Sequence, residues 1–188
     1  TRGIDAYISI KPTQFGLKVD PRACLELIRS LTTRARSKGQ FVRIEMEDSS
    51  STSETIELFR TLRGEFSNVG IVIQAYLRRS VADISAIADL KPNVRIVKGV
   101  YVEPRRVAFK DPRIINRNYV LMAEELLRKG AYVAFATHDE LLVWEAFRLA
   151  EEMSLPKDAY EFQMLLGVQA ELRDIIRDAG HRMRVYIP

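Results

Sequence analysis

Histidine is nearly absent from this sequence, at two residues, and cysteine occurs once. A single cysteine excludes an internal disulfide. Cys24 sits in a helix-like run between Ala23 and Leu25, resembles neither a metal ligand nor an activated nucleophile, and reads as a buried, inert thiol. Scarce histidine also argues against a metal centre. No apolar run approaches the length needed to span a membrane. There is no GxGxxG for a Rossmann-type nucleotide site, no GxSxG, and no cysteine-based nucleophile pattern. Linkers, low-complexity tracts and shifts in composition are lacking too, so residues 1–188 read as one domain. Thr1-Arg2-Gly3-Ile4-Asp5 resembles neither a signal nor a transit peptide. The chain opens almost directly into a strand and stops at Ile187-Pro188, at the end of another, and reads as a fragment.

What is present is an ordinary globular composition: 188 residues, 47% apolar and 29% charged, with a formal net charge of +4. The basic residues are interleaved with acidic ones, as in Arg60, Arg63 and Glu65, which describes solvated helix faces. No alternation of aromatic and basic residues builds a stacking platform, so a nucleic-acid partner is not expected.

Strand-like and helix-like segments alternate throughout. Strands are expected at Ala6–Lys11, Phe41–Glu47, Val69–Leu77, Val94–Tyr101, Tyr132–His138, Glu161–Leu165 and Arg182–Ile187. Asp20 and Pro21 open the first intervening helix, with Leu25, Leu27, Ile28 and Leu31 as its apolar face and Gly39 as its stop. Helices also follow Ser51–Glu54, carrying Ile56, Leu58, Phe59 and Leu62, and run from Ser80 to Leu90 and from about Asp139 to Met153. Such spacing implies parallel strands joined by right-handed crossovers.

Strand parity separates a doubly wound sheet from a barrel. In the second strand Val42, Ile44 and Met46 share one face, and Arg43, Glu45 and Glu47 the other. In the last, Met183, Val185 and Ile187 oppose Arg182, Arg184 and Tyr186. A sheet covered by helices on both faces is apolar on both. One apolar and one polar face fits an α/β barrel of the (β/α)8 TIM type, with helices outside and a polar interior. Seven of its eight strands are expected here, with a strand before them and a last helix after them needed for closure. The polar residues cluster late in each strand, at the C-terminal mouth where such barrels hold their sites.

At that mouth Lys11 offers a cation for an anionic group, and Glu45, Glu47 and Asp48 form an acidic cluster with Arg43. Gln74 and Arg95 can donate hydrogen bonds to an electron-rich heteroaromatic ring, and Gly99 permits close backbone approach to a ligand. Thr137-His138-Asp139 ends a strand where a helix begins, a place suited to a phosphate group. Each of these signals has an ordinary structural counterpart: a snorkelling lysine, an interior salt-bridge network, a hydrogen-bonding histidine.

Taken in order, however, Ser9-Ile10-Lys11, Ile44-Glu45-Met46-Glu47, Gln74-Ala75-Tyr76-Leu77, Arg95-Ile96-Val97-Lys98-Gly99-Val100-Tyr101, Ala136-Thr137-His138, Glu161-Phe162-Gln163-Met164-Leu165 and Arg184-Val185-Tyr186-Ile187-Pro188 resemble the strand ends of the proline dehydrogenase family. The resemblance spans nearly the whole chain. It implies FAD-dependent oxidation of L-proline to Δ1-pyrroline-5-carboxylate by hydride transfer to flavin N5, with electrons passing to a quinone or another acceptor. It assigns Lys11 to the proline carboxylate, and Gln74, Arg95 and Lys98 to the flavin, with Gly99, Val100 and Tyr101 continuing that stretch. Thr137 and His138 are assigned to the FAD phosphate and ribose portion, and Leu165 and Tyr186 to the wall of the substrate pocket. Glu45 takes the place of an aspartate that helps fix substrate-binding arginines. Lys11, Glu45, Arg95 and Tyr186 are the expected catalytic residues.

The departures from the family are Glu45, one methylene longer; Val100 in place of a usual alanine; and Asp139 where asparagine is common. The family's final helix, with a Tyr and an Arg-Arg pair that clamps the carboxylate, is not in the sequence, so the 188 residues alone are expected to be weak or inactive. A cytoplasmic location is expected, peripheral on the inner face of the membrane if a quinone is the acceptor (mitochondrial if eukaryotic). The competing expectations are a barrel that binds a phosphorylated metabolite and a non-catalytic scaffold barrel.

Overall fold

A computed structural model describes residues 5–187; residues 1–4 and Pro188, the last residue of the Arg-Val-Tyr-Ile-Pro match, lie outside the described residues. The strands are β1 (Tyr7–Ile10), β2 (Phe41–Ile44), β3 (Val69–Gln74), β4 (Asn93–Val97), β5 (Tyr132–Ala136), β6 (Tyr160–Leu165) and β7 (Met183–Tyr186). The helices are α1 (Pro21–Ser37), α2 (Thr52–Glu65), α3 (Ser80–Ile87), α4 (Pro112–Arg128), α5 (Glu140–Glu152) and α6 (Ala170–Asp178). The strands follow one another in sheet order β1 to β7. The pairings β1–β2, β2–β3, β4–β5, β5–β6 and β6–β7 are parallel. A doubly wound sheet reverses its strand order at a switch point. Unbroken sequential order is the topology of a TIM-type α/β fold.

Two compact units divide the chain. One comprises the chain up to Val72 with Tyr101–Glu103; the other comprises Ile73–Val100 and the chain from Pro104 onward.

In the first unit, Asp20 Oδ1 accepts the N–H groups of Arg22 and Ala23, each at 3.0 Å, and Pro21 needs no N–H partner at the first helical position. The buried stripe of α1 runs through Cys24, Ile28, Thr32 and Ala35. Leu27, expected on the core face, is 55% exposed. Apolar residues cover a wide arc of this helix, and the stripe chosen includes Thr32 because its hydroxyl donates to Ile28 O at 2.7 Å. Burial raises the pKa of the Cys24 thiol and keeps it protonated. On α2 the expected Ile56, Leu58, Phe59 and Leu62 are all buried.

In the second unit, Asp111 caps α4 through Arg113 N at 2.9 Å, again with proline following the cap. Side-chain parity behaves as expected. Val94, Ile96, Phe162 and Met164 form one apolar set, while Arg95, Glu161 and Gln163 occupy the alternate positions and are buried as well.

The ladders are shorter than the sequence suggests. They stop at Ile10, Ile44, Gln74, Val97 and Ala136. Lys11, Glu45, Lys98 and Thr137 therefore stand on the connections just beyond the strands rather than in them. Local chemistry explains the stops: Pro12 has no N–H for a ladder, Gly99 adopts φ +116°, and the Thr137 hydroxyl captures the Asp139 N–H at 3.0 Å.

Candidate active site

In the first unit, Lys11 directly precedes a 3-10 turn at Pro12–Phe15 and is exposed. The turn is gripped by Glu47, whose two carboxylate oxygens accept Thr13 N at 3.0 Å and Thr13 Oγ1 at 2.6 Å. Register places Ile10 beside Ile44, so Lys11 and Glu45 follow paired positions, and Glu45 N donates to Ile10 O at 2.8 Å. Tyr101 is half-buried and belongs to this unit. Nearby in sequence, the buried Glu103 accepts Ser49 N and Ser49 Oγ, at 2.6 and 2.8 Å.

In the second unit, Arg95 is 5% exposed and lies with its guanidinium 4.9 Å from the ring centre of Tyr186. Its Nε–H donates to Gln163 Oε1 at 2.6 Å. Gln163 donates through Nε2 to Glu161 Oε1, and Arg184 Nε donates to both oxygens of Glu161 at 3.1 Å. A neutral amide thus links two ionised groups, and its oxygen and nitrogen are assigned by its neighbours. Gln163, Glu161 and Arg184 were legible only as alternate positions on two strands. Nothing local marked them as partners of Arg95. Gln74, 2% exposed, ends β3 in the same unit.

Lys98 forms an ion pair with Asp139 Oδ2, and Asn116 Nδ2 donates to that oxygen at 3.1 Å. The other oxygen, Oδ1, caps α5 by accepting Leu141 N at 3.0 Å. The helix N-terminus that the sequence offers to a phosphate thus already carries a carboxylate. Burial pushes the Asp139 pKa up, but the hydrogen bonds from Lys98 and Asn116 outweigh it and leave the carboxyl below its ordinary value. His138 Nε2 accepts Leu165 N at 3.0 Å. Burial lowers its pKa and favours the neutral ring, whose proton sits on Nδ1 because Nε2 accepts. Leu165 is 38% exposed beside it.

At Gly99 the close approach expected of a ligand is made by a side chain of the protein. A Cβ there would lie 2.1 Å from Tyr76 Cδ1. Tyr76 in turn packs in a cluster with Leu77 and Ala108. Val100, next in the chain, is 84% exposed.

The donors of the second unit, Arg95, Lys98, Gln74 and neutral His138, fit a flavin. Its heteroaromatic ring presents acceptors and gains negative charge on reduction, and its phosphates are anionic. Tyr186 adds an aromatic face.

The fold defines a TIM-type α/β protein whose charged and polar groups collect at the C-terminal strand ends. Comparison with known proteins makes the class specific. The family model "Proline dehydrogenase" matches residues 3–188, and the chain belongs to the proline dehydrogenase family. It is 39% identical to the proline dehydrogenase of Deinococcus radiodurans over 191 residues, covering 99% of this chain and 62% of that protein. To proline dehydrogenase 1 of Bacillus subtilis (strain 168) it is 37% identical over 185 residues, covering 98% of this chain and 61% of that protein. A crystal structure of proline utilization A from Bdellovibrio bacteriovorus, inactivated by N-propargylglycine, superposes with a TM-score of 0.88 at 30% identity, covering 96% of this chain and 22% of that one. The chain spans about three-fifths of the length of the two proline dehydrogenases.

Proposed function

We propose that the protein containing these residues is an FAD-dependent proline dehydrogenase, oxidising L-proline to Δ1-pyrroline-5-carboxylate, and that residues 1–188 form part of a single barrel domain of it. The observation that carries this reading is the identity of 37–39% to named proline dehydrogenases across essentially the whole chain.

Bound FAD supplies a two-electron acceptor for the C–N bond of the substrate. Arg95 places a permanent cation at the ring and stabilises the charge gained on reduction, and Gln163 holds its guanidinium in register. Gln74 and Lys98 donate to the same ring system, with Gly99, Val100 and Tyr101 continuing the binding stretch. Thr137 and the Nδ1–H of His138 serve the phosphate and ribose portion. Leu165 and Tyr186 wall the substrate. Lys11 draws the proline carboxylate, and Glu45 orients cations around it.

A quinone or another acceptor reoxidises the cofactor. Among the described residues no helix is long and apolar enough to cross a membrane, and contact with a quinone pool would be peripheral, on the inner face.

The test is the visible spectrum of the full-length protein before and after anaerobic L-proline. A yellow protein bleached by proline supports the reading. A yellow protein unchanged by proline keeps the flavin and rejects the substrate. A protein that stays colourless with added FAD rejects the reading and leaves a phosphate-binding or scaffold barrel.

A further inference from the structure

We propose that Asp139 is a positioning residue that acts through Lys98: its carboxylate holds and partly neutralises the Lys98 ammonium, and so lowers the reduction potential of the bound flavin. This rests on the flavin reading above and assigns a role to a residue outside the expected cofactor-binding set.

Asp139 Oδ1 is committed to capping α5 through Leu141 N at 3.0 Å. Oδ2 receives Lys98 Nζ and, at 3.1 Å, Asn116 Nδ2. The backbone of Asp139 is tied down as well, its N–H donating to Thr137 Oγ1 at 3.0 Å. A carboxylate held by three donors, on a backbone tied by a fourth bond, is a preorganised anchor, and Lys98 is one of the groups it fixes. With side-chain exposures of 35% and 29%, the two charges are sheltered enough to interact but not fully desolvated.

A bare ammonium beside a flavin favours the reduced form, because reduction adds negative charge. A lysine closed on a carboxylate presents a dipole in place of a full charge. Asp139 therefore sets how much of the Lys98 charge the cofactor experiences.

Asp139→Asn isolates the charge. Asparagine caps helices as well as aspartate does, so its oxygen retains the Leu141 N–H. Its amide nitrogen can donate to Asn116 Oδ1, a buried atom that has no hydrogen-bond partner. The fold and the cap are kept, and one negative charge is lost.

The experiment measures the midpoint potential of the flavin in the full-length protein by anaerobic dye-linked titration, for wild type and Asp139→Asn. We expect the potential to rise, by about tenfold in the equilibrium between oxidised and reduced flavin, or about 30 mV for a two-electron couple. The rise should shrink as salt is added. A second readout needs no cofactor: in the apo-protein, carbon-13 NMR should find the Asp139 carboxyl titrating below the ordinary aspartate range, and Lys98→Met should move it upward. A yellow variant whose potential is unchanged or lower, even with an altered melting temperature, overturns the inference and leaves the flavin reading standing. So does an Asp139 carboxyl insensitive to Lys98→Met. A wild-type protein that takes up no flavin overturns both.

Discussion

Arg95 and Gln163 lie on strands that are not neighbours, yet the Nε–H of Arg95 meets Gln163 Oε1 at 2.6 Å across the strand between them. The register explains how. Arg95 on β4 pairs with Ala134 on β5, and Ala134 pairs with Glu161 on β6. The residue at the middle position carries only a methyl group, which leaves room for larger side chains on the same face. Ala134 is itself fully buried.

Ala134→Leu should therefore act at a distance from its own contacts. Overpacking alone costs about 1–3 kcal/mol, and the loss of that room also disturbs the contact of Arg95 with Gln163. Urea denaturation should find a loss at or above that range, whereas Ala134→Gly, which keeps the room, should lose about 1 kcal/mol.

Glu161 is fully buried between Gln163 and Arg184. Glu161→Gln removes the carboxylate to which Arg184 Nε donates, and removing one partner of a buried pair costs about 3–5 kcal/mol. Adding Arg184→Met to Glu161→Gln should recover much of the loss, since the carboxylate and the guanidinium it faces are then removed together. A double-mutant cycle by chemical denaturation measures the coupling.

In the first unit, Glu47→Ala should release the turn after Lys11, because Thr13 loses the acceptors of both its N–H and its hydroxyl. The expected cost is about 1–3 kcal/mol. Hydrogen exchange at Thr13 N should accelerate in Glu47→Ala but much less in Thr13→Val, which retains the backbone bond.

Both histidines have pKa values lowered from the ordinary 6.5, His138 by burial and His181 by burial and then by the Lys157 ammonium. A base whose folded pKa lies below its unfolded value binds its proton first in the unfolded chain. Above about pH 6.5 neither state is protonated at these sites and their contribution is complete. As the pH falls from 6.5 toward the folded values stability declines, with a ceiling of about 1.4 kcal/mol per pH unit for each histidine, and below those values the loss stops growing. Unfolding free energies at pH 7.5 and 5.5 should differ in this direction. His181→Gln should reduce the difference.

Gly99→Ala should be severe for its size. The residue has φ +116°, a region that side chains rarely adopt, and the new Cβ would lie 2.1 Å from the Tyr76 ring. Strain and overpacking together put the cost at about 2–4 kcal/mol. Pairing it with Tyr76→Ala should relieve the steric part and leave the backbone part.

What depends on near neighbours along the chain was legible in the residues alone. The alternation of strands and helices, the Asp20-Pro21 start of α1 and the opposed apolar and polar faces of β2 and β7 are set by propensity, capping and the two-residue period of a strand. The family was legible as well, because its marks are short runs at successive strand ends. Tertiary structure alone decided which side chains meet. Glu47 and Thr13 are 34 residues apart, Lys98 and Asp139 are 41, Glu103 and Ser49 are 54, and Arg95 and Gln163 are 68. No local preference encodes those pairs. Strand register brings Arg95 to Gln163 across β5, and the stripe of α1 that faces inward was settled by what it packs against. A hydrogen bond is won or lost over a few tenths of an ångström, a distance that a one-dimensional pattern does not specify and a packed interior does.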